Sequence, residues 1–447
     1  MITVIMAGGK GTRISSMASD IPKPMIKIEG KPILEHEIEF LRDQGFTNII
    51  ITVSYLGNII MDYFGDGSGV SPVTGEPFGT HIEYYEEKIP LGNAGALFKI
   101  KDKLTDDFLL LNADAMFDVD FNRFVKFHRT HNGLVTLFTH PNSHPYDSGL
   151  IMAAKDGSVE RWLAKEDKRP VYYKNRVNAG LHVISPKVLD LVDIDPESVG
   201  CADEDGKAIE VDLDRQILKP FAGTGKMFCY DSPEYVKDMG TPERYYSVCN
   251  EFKNGIVKAK NFRNKQKAVF LDRDGTINKY VGFLRNIDEF ELIDGVAEAI
   301  RTINEFGYLA IVVTNQPVIA RGEVTIEELE EIHKKMETML GAEGAYVDAI
   351  YYCPHHPQKG YKGEVPELKI DCDCRKPKPG MLIRAAEDFN IDLSQSWMIG
   401  DGKNDIRAGK AAGCKTALIG GGDFQQDVTV TSLQNWCGQY MTSKEIV

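Results

Sequence analysis

The chain has 447 residues, 43% of them hydrophobic and 26% charged, and its formal net charge is −14 at pH 7. This length exceeds one ordinary hydrophobic core, so we expect two domains. The acidic balance argues against nucleic acid as a partner. Because no apolar run reaches transmembrane length, we expect no membrane partner and a cytoplasmic location.

The first half alternates short apolar segments with segments of helical periodicity. The pattern predicts strands over residues 4–6, 48–54 and 108–111 and a helix over residues 33–44. Strands that end in glycine or acidic residues are typical of an open α/β sheet, which binds ligands at the carboxyl ends of its strands.

A polar and basic stretch near residue 250 separates this half from a second α/β pattern. There we expect strands over residues 268–271, 309–313, 397–399 and 416–419 and a helix over 326–340. The predicted organisation is a domain over residues 1–250, a linker over 251–266, a second domain over 267–425, and a tail over 426–447 without a structural signal.

The string GGKGTR at residues 8–13 precedes PKP at 22–24. Glycines let a backbone approach phosphates, and Arg13 and Lys23 neutralise phosphate charge. The Gly-Lys-Ser/Thr ending of a Walker A loop is absent. The alternative is a glycine turn with two surface cations, which the full string disfavours.

The string resembles that of the sugar-1-phosphate nucleotidyltransferase family, which joins a nucleoside triphosphate to a sugar 1-phosphate. Further matches are LGNAG at 91–95, NAD at 112–114, NAG at 178–180 and DMGTP at 238–242. Asn93 and Ala113 depart from the family's usual Thr and Gly, and Asp167 is an insertion before Lys168. The resemblance implies a Rossmann-like fold with a mixed sheet.

The resemblance also implies residue roles, with Arg13 and Lys23 stabilising charge during transfer. The implied nucleotide-binding residues are Gly8, Gly9, Gly11, Thr12, Arg13, Lys23 and Gly92. The implied sugar-phosphate ligands are Asn178, Gly180 and Lys168, and the implied Mg²⁺ ligands are Asp114 and Asp238.

A second signature, DRDGTIN, occupies residues 272–278 directly after an apolar segment. Two aspartates two positions apart put a carboxylate nucleophile beside a carboxylate that moves a proton. An Asp-rich turn is the alternative. It is disfavoured by three later segments: TN at 314–315, KP at 376–377 and GD at 400–401.

Residues 267–422 therefore resemble the haloacid-dehalogenase-like (HAD-like) phosphatases, which implies a Rossmannoid domain. The implied nucleophile is Asp272 and the implied acid/base is Asp274. The implied phosphate ligands are Thr314, Asn315 and Lys376, and the implied Mg²⁺ ligands are Asp272, Asp274 and Asp401. Asp405 orients Lys376 or supports the metal in this reading.

Cysteine spacing points to a zinc loop in the same domain. Cys353, His355, Cys372 and Cys374 supply three thiolates and an imidazole, a set that fits a tetrahedral Zn²⁺. His356 is the alternative imidazole, and three free loop cysteines are the alternative to a metal. The other cysteines are scattered, which argues against a disulfide scaffold.

Within the superfamily, DRDGTIN, TNQ-x3-ARG, the zinc loop and CRKPKPGM resemble the D-glycero-D-manno-heptose-1,7-bisphosphate 7-phosphatases, with Arg375 and Lys376 as the substrate-contacting pair. Pro317, Val318 and Gly402 depart from the usual residues near the substrate. The first half also resembles the D-glycero-α-D-manno-heptose-1-phosphate guanylyltransferases.

The two resemblances together imply an enzyme that removes the C7 phosphate and then transfers GMP from GTP, giving GDP-D-glycero-α-D-manno-heptose. Its partners would be sugar phosphates and nucleoside triphosphates, and a homo-oligomer is compatible with the sequence. One alternative pairs a hexose-1-phosphate nucleotidyltransferase with a histidinol-phosphate-type phosphatase. Another makes one half a catalytically silent module, which the retained aspartates disfavour.

Overall fold

The computed structural model describes residues 1–8, 20–203 and 205–441. Contacts divide the chain into two compact units. The first comprises Met1–Thr139, Ile151–Trp162 and Asn178–Lys258, and the second comprises His140–Leu150, Leu163–Val177 and Ala259–Val447. The boundary between the two units after Lys258 lies inside the predicted linker, residues 251–266.

Two segments expected in the first domain thus belong to the second unit. The segment Leu163–Val177 is held there by hydrogen bonds to a helix near residue 337. The Asn175 N–H donates to Glu337 Oε2 at 2.7 Å and the Tyr173 N–H donates to Thr338 Oγ1 at 2.9 Å. These are long-range contacts, which no local sequence pattern reports.

The strands from the first part of the chain are β1 Thr3–Met6, β2 Lys27–Ile28, β3 Lys31–Pro32, β4 Asn48–Val53, β5 His81–Glu86, β6 Phe108–Asn112, β7 Ala115–Asp118, β8 Val135–His140, β9 Leu150–Ala153, β10 Val159–Leu163, β11 Val177–Ile184, β12 Met227–Asp231 and β13 Tyr235–Asp238. The α-helices are α1 Ile33–Arg42, α2 Gly57–Phe64, α3 Ala96–Lys99, α4 Phe121–His131, α5 Val188–Leu191, α6 Pro242–Lys253 and α7 Ile256–Ala259.

The larger sheet of this unit is mixed, in the order β10-β9-β11-β6-β1-β4-β5, with β8 paired to β11 and β12 paired to β8. β2 and β3 pair separately with each other. β6, β1, β4 and β5 are parallel, whereas β11 runs antiparallel to β6. β7 and β13 form a separate antiparallel ribbon. The apolar runs of β1, β4 and β6 are buried on both faces, as a parallel sheet covered by helices requires. The predicted mixed α/β sheet is confirmed.

The second unit contains a parallel sheet in the order β16-β15-β14-β17-β18-β19. Its strands are β14 Ala268–Leu271, β15 Leu309–Asn315, β16 Ala349–Cys353, β17 Trp397–Gly400, β18 Lys415–Ile419 and β19 Val428–Val430. Its α-helices are α8 Val296–Glu305, α9 Pro317–Ala320, α10 Ile326–Ala342, α11 Gly380–Phe389, α12 Lys403–Ala412 and α13 Leu433–Tyr440.

The tail, to which the sequence assigned no structure, contributes β19 and α13. Leu433, Trp436 and Cys437 are buried in the core of the second unit. The Trp436 ring meets the Trp397 ring of β17 edge to face, with centroids 5.4 Å apart. The described part of the tail is therefore packed into the hydrophobic core.

Candidate active sites

The carboxyl ends of the parallel strands meet at one edge of the first unit. Gly8 follows β1, Ser54 follows β4 and Glu87 follows β5, and the Ser54 hydroxyl donates to the Gly8 carbonyl. A Cβ on Gly8 would lie 2.8 Å from Glu87 Oε1, so a larger residue would require the Glu87 side chain to shift. Burial is the main factor that raises the pKa of Glu87 to about 7.

Two carboxylates from neighbouring segments also lie at this edge. Asp238 pairs with Ala115 across the β7–β13 ribbon, and Ala115 is the residue that follows Asp114 in the chain. Lys23 Nζ contacts Asp114 Oδ2 at 2.6 Å, and Arg244 Nη1 lies 2.9 Å and 2.7 Å from the two Asp238 oxygens. Burial opposes ionisation of Asp238, but its contacts with Arg244 outweigh this and lower its pKa.

Hard carboxylate oxygens are suitable ligands for Mg²⁺ beside a triphosphate. In the described part of the chain, however, Lys23 and Arg244 already neutralise Asp114 and Asp238, and no third acidic ligand groups with them. The residue types fit a magnesium ion, and a cation would compete with both ion pairs.

Two predicted glycines are required by backbone geometry. Gly92 has φ +75° and a Cβ there would lie 2.4 Å from the Val211 carbonyl oxygen; Gly180 has φ +78° and would bring a Cβ to 2.9 Å from Asn112 Nδ2. Such positions exclude other residues. Asn178 Oδ1 lies 3.1 Å from His182 Nε2 on the same strand, β11.

Some predicted residues are not placed at this edge. Gly9, Gly11, Thr12 and Arg13 lie outside the described residues. Lys168 lies in Leu163–Val177, which belongs to the second unit.

Sequence reasoning missed Glu37, which is fully buried on α1. Neither of its carboxylate oxygens has a hydrogen-bond partner in the described structure. Burial, and then the charge of Asp114, raise its pKa well above the ordinary value. Its spacing was a usable signal, because residue 37 lies four positions from both Ile33 and Leu41 and therefore on the apolar face of α1.

In the second unit, Lys376 joins the ends of three parallel strands. Its Nζ lies 2.8 Å from Asp272 Oδ1 and 2.6 Å from Asp405 Oδ1, and donates to the Val313 carbonyl at 2.8 Å. Asp272 follows β14, Val313 belongs to β15 and Asp405 lies on α12 after β17. The Lys376–Asp405 ion pair fits the orienting role predicted for Asp405.

The electrostatics of this cluster are dominated by burial. Burial, followed by the charge of Asp405, raises the pKa of Asp272 to about 6, although Lys376 acts in the opposite direction. Burial and the charge of Asp272 raise the pKa of Asp401 to about 6 as well. Burial disfavours the charge on Lys376, but the two aspartates outweigh it and raise its pKa.

Asp274 faces different partners. The buried Arg273 contacts its two oxygens at 3.0 and 2.9 Å, and Asn278 and Gln316 side-chain amides donate to it at 3.0 and 2.9 Å. Carboxylate oxygens of Asp272, Asp401 and Asp405 lie within 4.8 Å of one another. This candidate metal-binding group therefore includes Asp405 and does not include the Asp274 side chain. The Arg273 contacts account for this difference from the predicted metal set.

An open cavity of about 300 Å³ contains these groups. Its walls include Asp272, Asp274, Thr314, Asn315, Arg375, Lys376 and Asp401, and also Tyr280, Phe283, Pro317, Val318 and Gly402. The Asn315 side chain is fixed by exchanging hydrogen bonds of 3.0 Å with the Lys376 backbone. The structure thus brings together all the predicted phosphatase residues.

The oxygens of Asp272 and Asp401 suit Mg²⁺, which prefers carboxylate ligands and also takes phosphate oxygens. The carboxylates of Asp272, Asp401 and Asp405, grouped with the one lysine Lys376, leave an excess of negative charge, which a divalent cation would balance. The donor set therefore fits the ion that the resemblance implies.

The predicted zinc ligands also converge. The Sγ atoms of Cys353, Cys372 and Cys374 lie 3.2–3.5 Å apart, and His355 Nδ1 lies 3.3 Å from Cys374 Sγ and 3.7 Å from Cys353 Sγ. Ligand atoms around a tetrahedral zinc lie roughly 3.5–3.8 Å apart. The cluster fits Zn²⁺, with His355 rather than His356 as the fourth ligand.

Comparison with known proteins gives matches on both halves. Residues 2–255 match the nucleotidyl transferase family and residues 373–435 match a HAD-hydrolase-like family. D-glycero-β-D-manno-heptose-1,7-bisphosphate 7-phosphatase of Salmonella typhi is 47% identical over 152 residues, which are 34% of this chain and 79% of that protein. The same-named protein of Haemophilus ducreyi is 41% identical over 177 residues, 38% of this chain and 94% of that protein.

Two solved structures are also similar. HddC from Yersinia pseudotuberculosis is 26% identical, with a TM-score of 0.44, and covers 56% of this chain and 99% of that chain. D,D-heptose 1,7-bisphosphate phosphatase from B. bronchiseptica, complexed with magnesium and phosphate, is 31% identical, with a TM-score of 0.35, and covers 39% of this chain and 97% of that chain. Within the described residues, no helix is both long and apolar enough to span a bilayer.

Proposed function

The chain belongs to the nucleotidyl transferase family and carries a HAD-like phosphatase after it, and on this basis we propose that it makes GDP-D-glycero-α-D-manno-heptose in two steps. The first step removes the C7 phosphate of heptose 1,7-bisphosphate. The second transfers GMP from GTP to heptose 1-phosphate. The single observation that carries the proposal is the Asp272–Lys376–Asp405 cluster in the wall of the cavity.

In the first step, an Asp272 carboxylate oxygen attacks the C7 phosphorus, and the bond from phosphorus to the sugar oxygen breaks. Asp274 gives the leaving oxygen a proton, and Lys376, Thr314 and Asn315 hold the phosphate. Asp274 then takes a proton from the water that hydrolyses the aspartyl-phosphate, releasing inorganic phosphate. Asp272 and Asp401 would hold Mg²⁺, which when bound would supply positive charge to the phosphate.

Asp274 is well held for proton transfer. Arg273, Asn278 and Gln316 fix the carboxylate in one orientation. Since Asp274 and Asp272 line the same cavity, one sugar oxygen can lie between them. The structure supports distinct roles for the two aspartates because their partners differ.

In the second step, a sugar phosphate oxygen attacks the α-phosphorus of GTP and pyrophosphate leaves. Lys23 and Arg13 are proposed to neutralise phosphate charge together. The carboxylates of Asp114 and Asp238 would hold Mg²⁺ on the triphosphate. The proposed nucleotide contacts are Gly8, Gly9, Gly11, Thr12 and Gly92, and the proposed sugar-phosphate contacts are Asn178 and Gly180.

The anomer is a separate part of the proposal. The phosphatases named above carry β in their names, whereas we propose the α-anomer. The three departures from the phosphatase pattern, Pro317, Val318 and Gly402, all line the cavity. Changed residues in the cavity wall are where a changed anomer preference would arise.

The test uses the full chain with Mg²⁺, each anomer of heptose 1,7-bisphosphate and each nucleoside triphosphate in turn, with products identified by mass. We expect phosphate release from the α-anomer and GDP-heptose only with GTP. A product from hexose 1-phosphate together with histidinol phosphate hydrolysis would instead establish the alternative substrates. Inactivity of one half towards all of these would show that half to be silent.

A further inference from the structure

A buried histidine in the first unit contacts one of the proposed sugar-phosphate ligands. His182 lies on β11, is only 1% exposed and pairs in register with Leu110 of β6. Its Nε2 lies 3.1 Å from Asn178 Oδ1, and its Nδ1 has no hydrogen-bond partner in the described structure. Within the described residues, the Asn178 side chain is therefore the hydrogen-bond partner of this imidazole.

The backbone at Gly180 brings the two side chains together. Residues four positions apart in a regular strand are about 13 Å apart, too far for an imidazole and a side-chain amide to hydrogen-bond. Gly180 has φ +78°, a left-handed conformation that departs from the regular strand between them. A Cβ at this position would also lie 2.9 Å from Asn112 Nδ2. The contact between His182 and Asn178 thus depends on the glycine of the NAG motif.

The contacts of Asn178 Oδ1 fix both the orientation of the amide and the tautomer of the imidazole. The Gly180 backbone N–H lies 3.4 Å from the same oxygen, and a backbone N–H can only donate. The atom that faces His182 is therefore the amide oxygen, which can only accept, so His182 Nε2 carries the proton and Nδ1 does not. Burial lowers the pKa of His182 to about 3, so the imidazole stays neutral at physiological pH.

The NH2 group is the part of Asn178 that remains for a ligand. Oδ1 already accepts from Gly180 and His182, and the structure gives Nδ2 no partner among the described residues. β11 runs antiparallel to β6, so Asn178 lies beyond Gly180 towards the carboxyl end of β6, which Asp114 follows. A sugar phosphate bound at this edge would meet two N–H donors, which suit phosphate or hydroxyl oxygens.

We propose that His182 is a positioning residue for nucleotidyl transfer, which holds the Asn178 amide with its NH2 group towards the sugar phosphate. Without the Nε2–H donor, the amide could turn its oxygen to the substrate instead of its N–H groups. A donor that is fixed in advance loses less entropy when the ligand binds. This inference rests on the proposed transferase function and names a residue outside the NAG motif that orients a side chain of the motif.

The first measurement is the tautomer itself. Nitrogen-15 NMR of the full chain with labelled histidine should show His182 as the neutral Nε2–H form, its signals being assigned by their loss in His182→Gln. In Asn178→Ala the Nε2–H signal should shift, because its acceptor is gone. An Nδ1–H tautomer, or a signal unchanged by Asn178→Ala, would overturn the pairing. This measurement needs no activity, so it is independent of the proposed function.

The second measurement is the rate of transfer from GTP to heptose 1-phosphate. For His182→Leu we expect KM for the sugar phosphate to rise roughly 10-fold, with KM for GTP little changed. His182→Gln should recover most of this loss, because its amide N–H can donate to Asn178 Oδ1. In an Asn178→Ala background, His182→Leu should have no further effect, since one residue would act only through the other. Independent, additive losses would make His182 structural and refute the positioning role.

His128→Leu is the matched control variant. His128 is also a buried histidine of the first unit, but its Nδ1 lies 2.7 Å from Thr136 Oγ1 of β8. This variant should lose stability and keep the wild-type KM for the sugar phosphate. An equal rise in KM here would assign the effect of His182→Leu to general destabilisation. If the wild-type chain makes no nucleotide sugar from these substrates, the proposed function fails and the role of His182 with it, whatever the tautomer.

Discussion

Within the described residues, the two candidate sites differ in how their charged side chains are paired. In the phosphatase cavity, Lys376 is buried between Asp272 and Asp405, and Asp274 has three partners of its own. At the transferase edge, Lys23–Asp114 and Arg244–Asp238 are separate pairs whose carboxylates are about half exposed. Formation of a covalent bond to the enzyme demands a nucleophile fixed in advance, whereas an in-line transfer between two substrates lets the ligands complete the site.

Asp272→Asn gives the sharpest test of this contrast. An amide cannot form the aspartyl-phosphate, so phosphate release should fall at least ~10³-fold while GDP-heptose formation from heptose 1-phosphate continues. Heptose 1,7-bisphosphate should then yield no GDP-heptose, because the C7 phosphate stays on. Asp371→Asn, a change at an exposed ion pair with Lys378, is the control. GDP-heptose 7-phosphate formation by the Asp272→Asn variant would refute the proposed order.

Asp238→Ala tests the transferase site. Loss of a proposed magnesium ligand should lower nucleotidyl transfer roughly 10²-fold and leave phosphate release unchanged. Asp190→Ala, which removes only a surface pair with Lys101, should have little effect. Normal transfer rates at limiting Mg²⁺ in Asp238→Ala would assign the Arg244–Asp238 pair a structural role instead.

Removal of zinc should affect the phosphatase site and leave the transferase site unchanged. We expect one zinc per chain by elemental analysis, and Cys372→Ser should lose it and destabilise the second unit by about 2 kcal/mol or more. Phosphate release should fall because the loop anchors Arg375. Cys201→Ser, at an exposed cysteine of the first unit, should keep the metal. A full zinc content in Cys372→Ser would exclude that ligand.

Trp436→Phe should have the smallest effect. The indole is fully buried, but its Nε1–H has no hydrogen-bond partner in the described structure. The packing lost with the larger ring is offset by removal of an unpaired donor, so the free energy of unfolding should change by less than about 1 kcal/mol in urea titration. A much larger loss would show that ring packing dominates, and transferase activity should be unaffected in either case.

Local sequence patterns were sufficient for several core strands and for much of the phosphatase site. Buried parallel strands give continuous apolar runs, so strands such as β4 and β14 were predicted within one residue of their bounds. The phosphatase residues follow strands that lie side by side in a parallel sheet, and their side chains must therefore meet at its carboxyl edge. The zinc ligands could be predicted because metal binding fixes both residue types and spacing.

Only the tertiary structure showed what depends on distant contacts. The grouping of residues 163–177 with the second unit and the place of α13 in the core arise from packing between segments far apart in sequence. The partners of Asp274 likewise include Gln316, 42 positions away. The sequence determined which chemical groups the chain carries at its strand ends, and the tertiary structure decided which charges face one another, because side-chain electrostatics depend on distance and burial rather than on chain order.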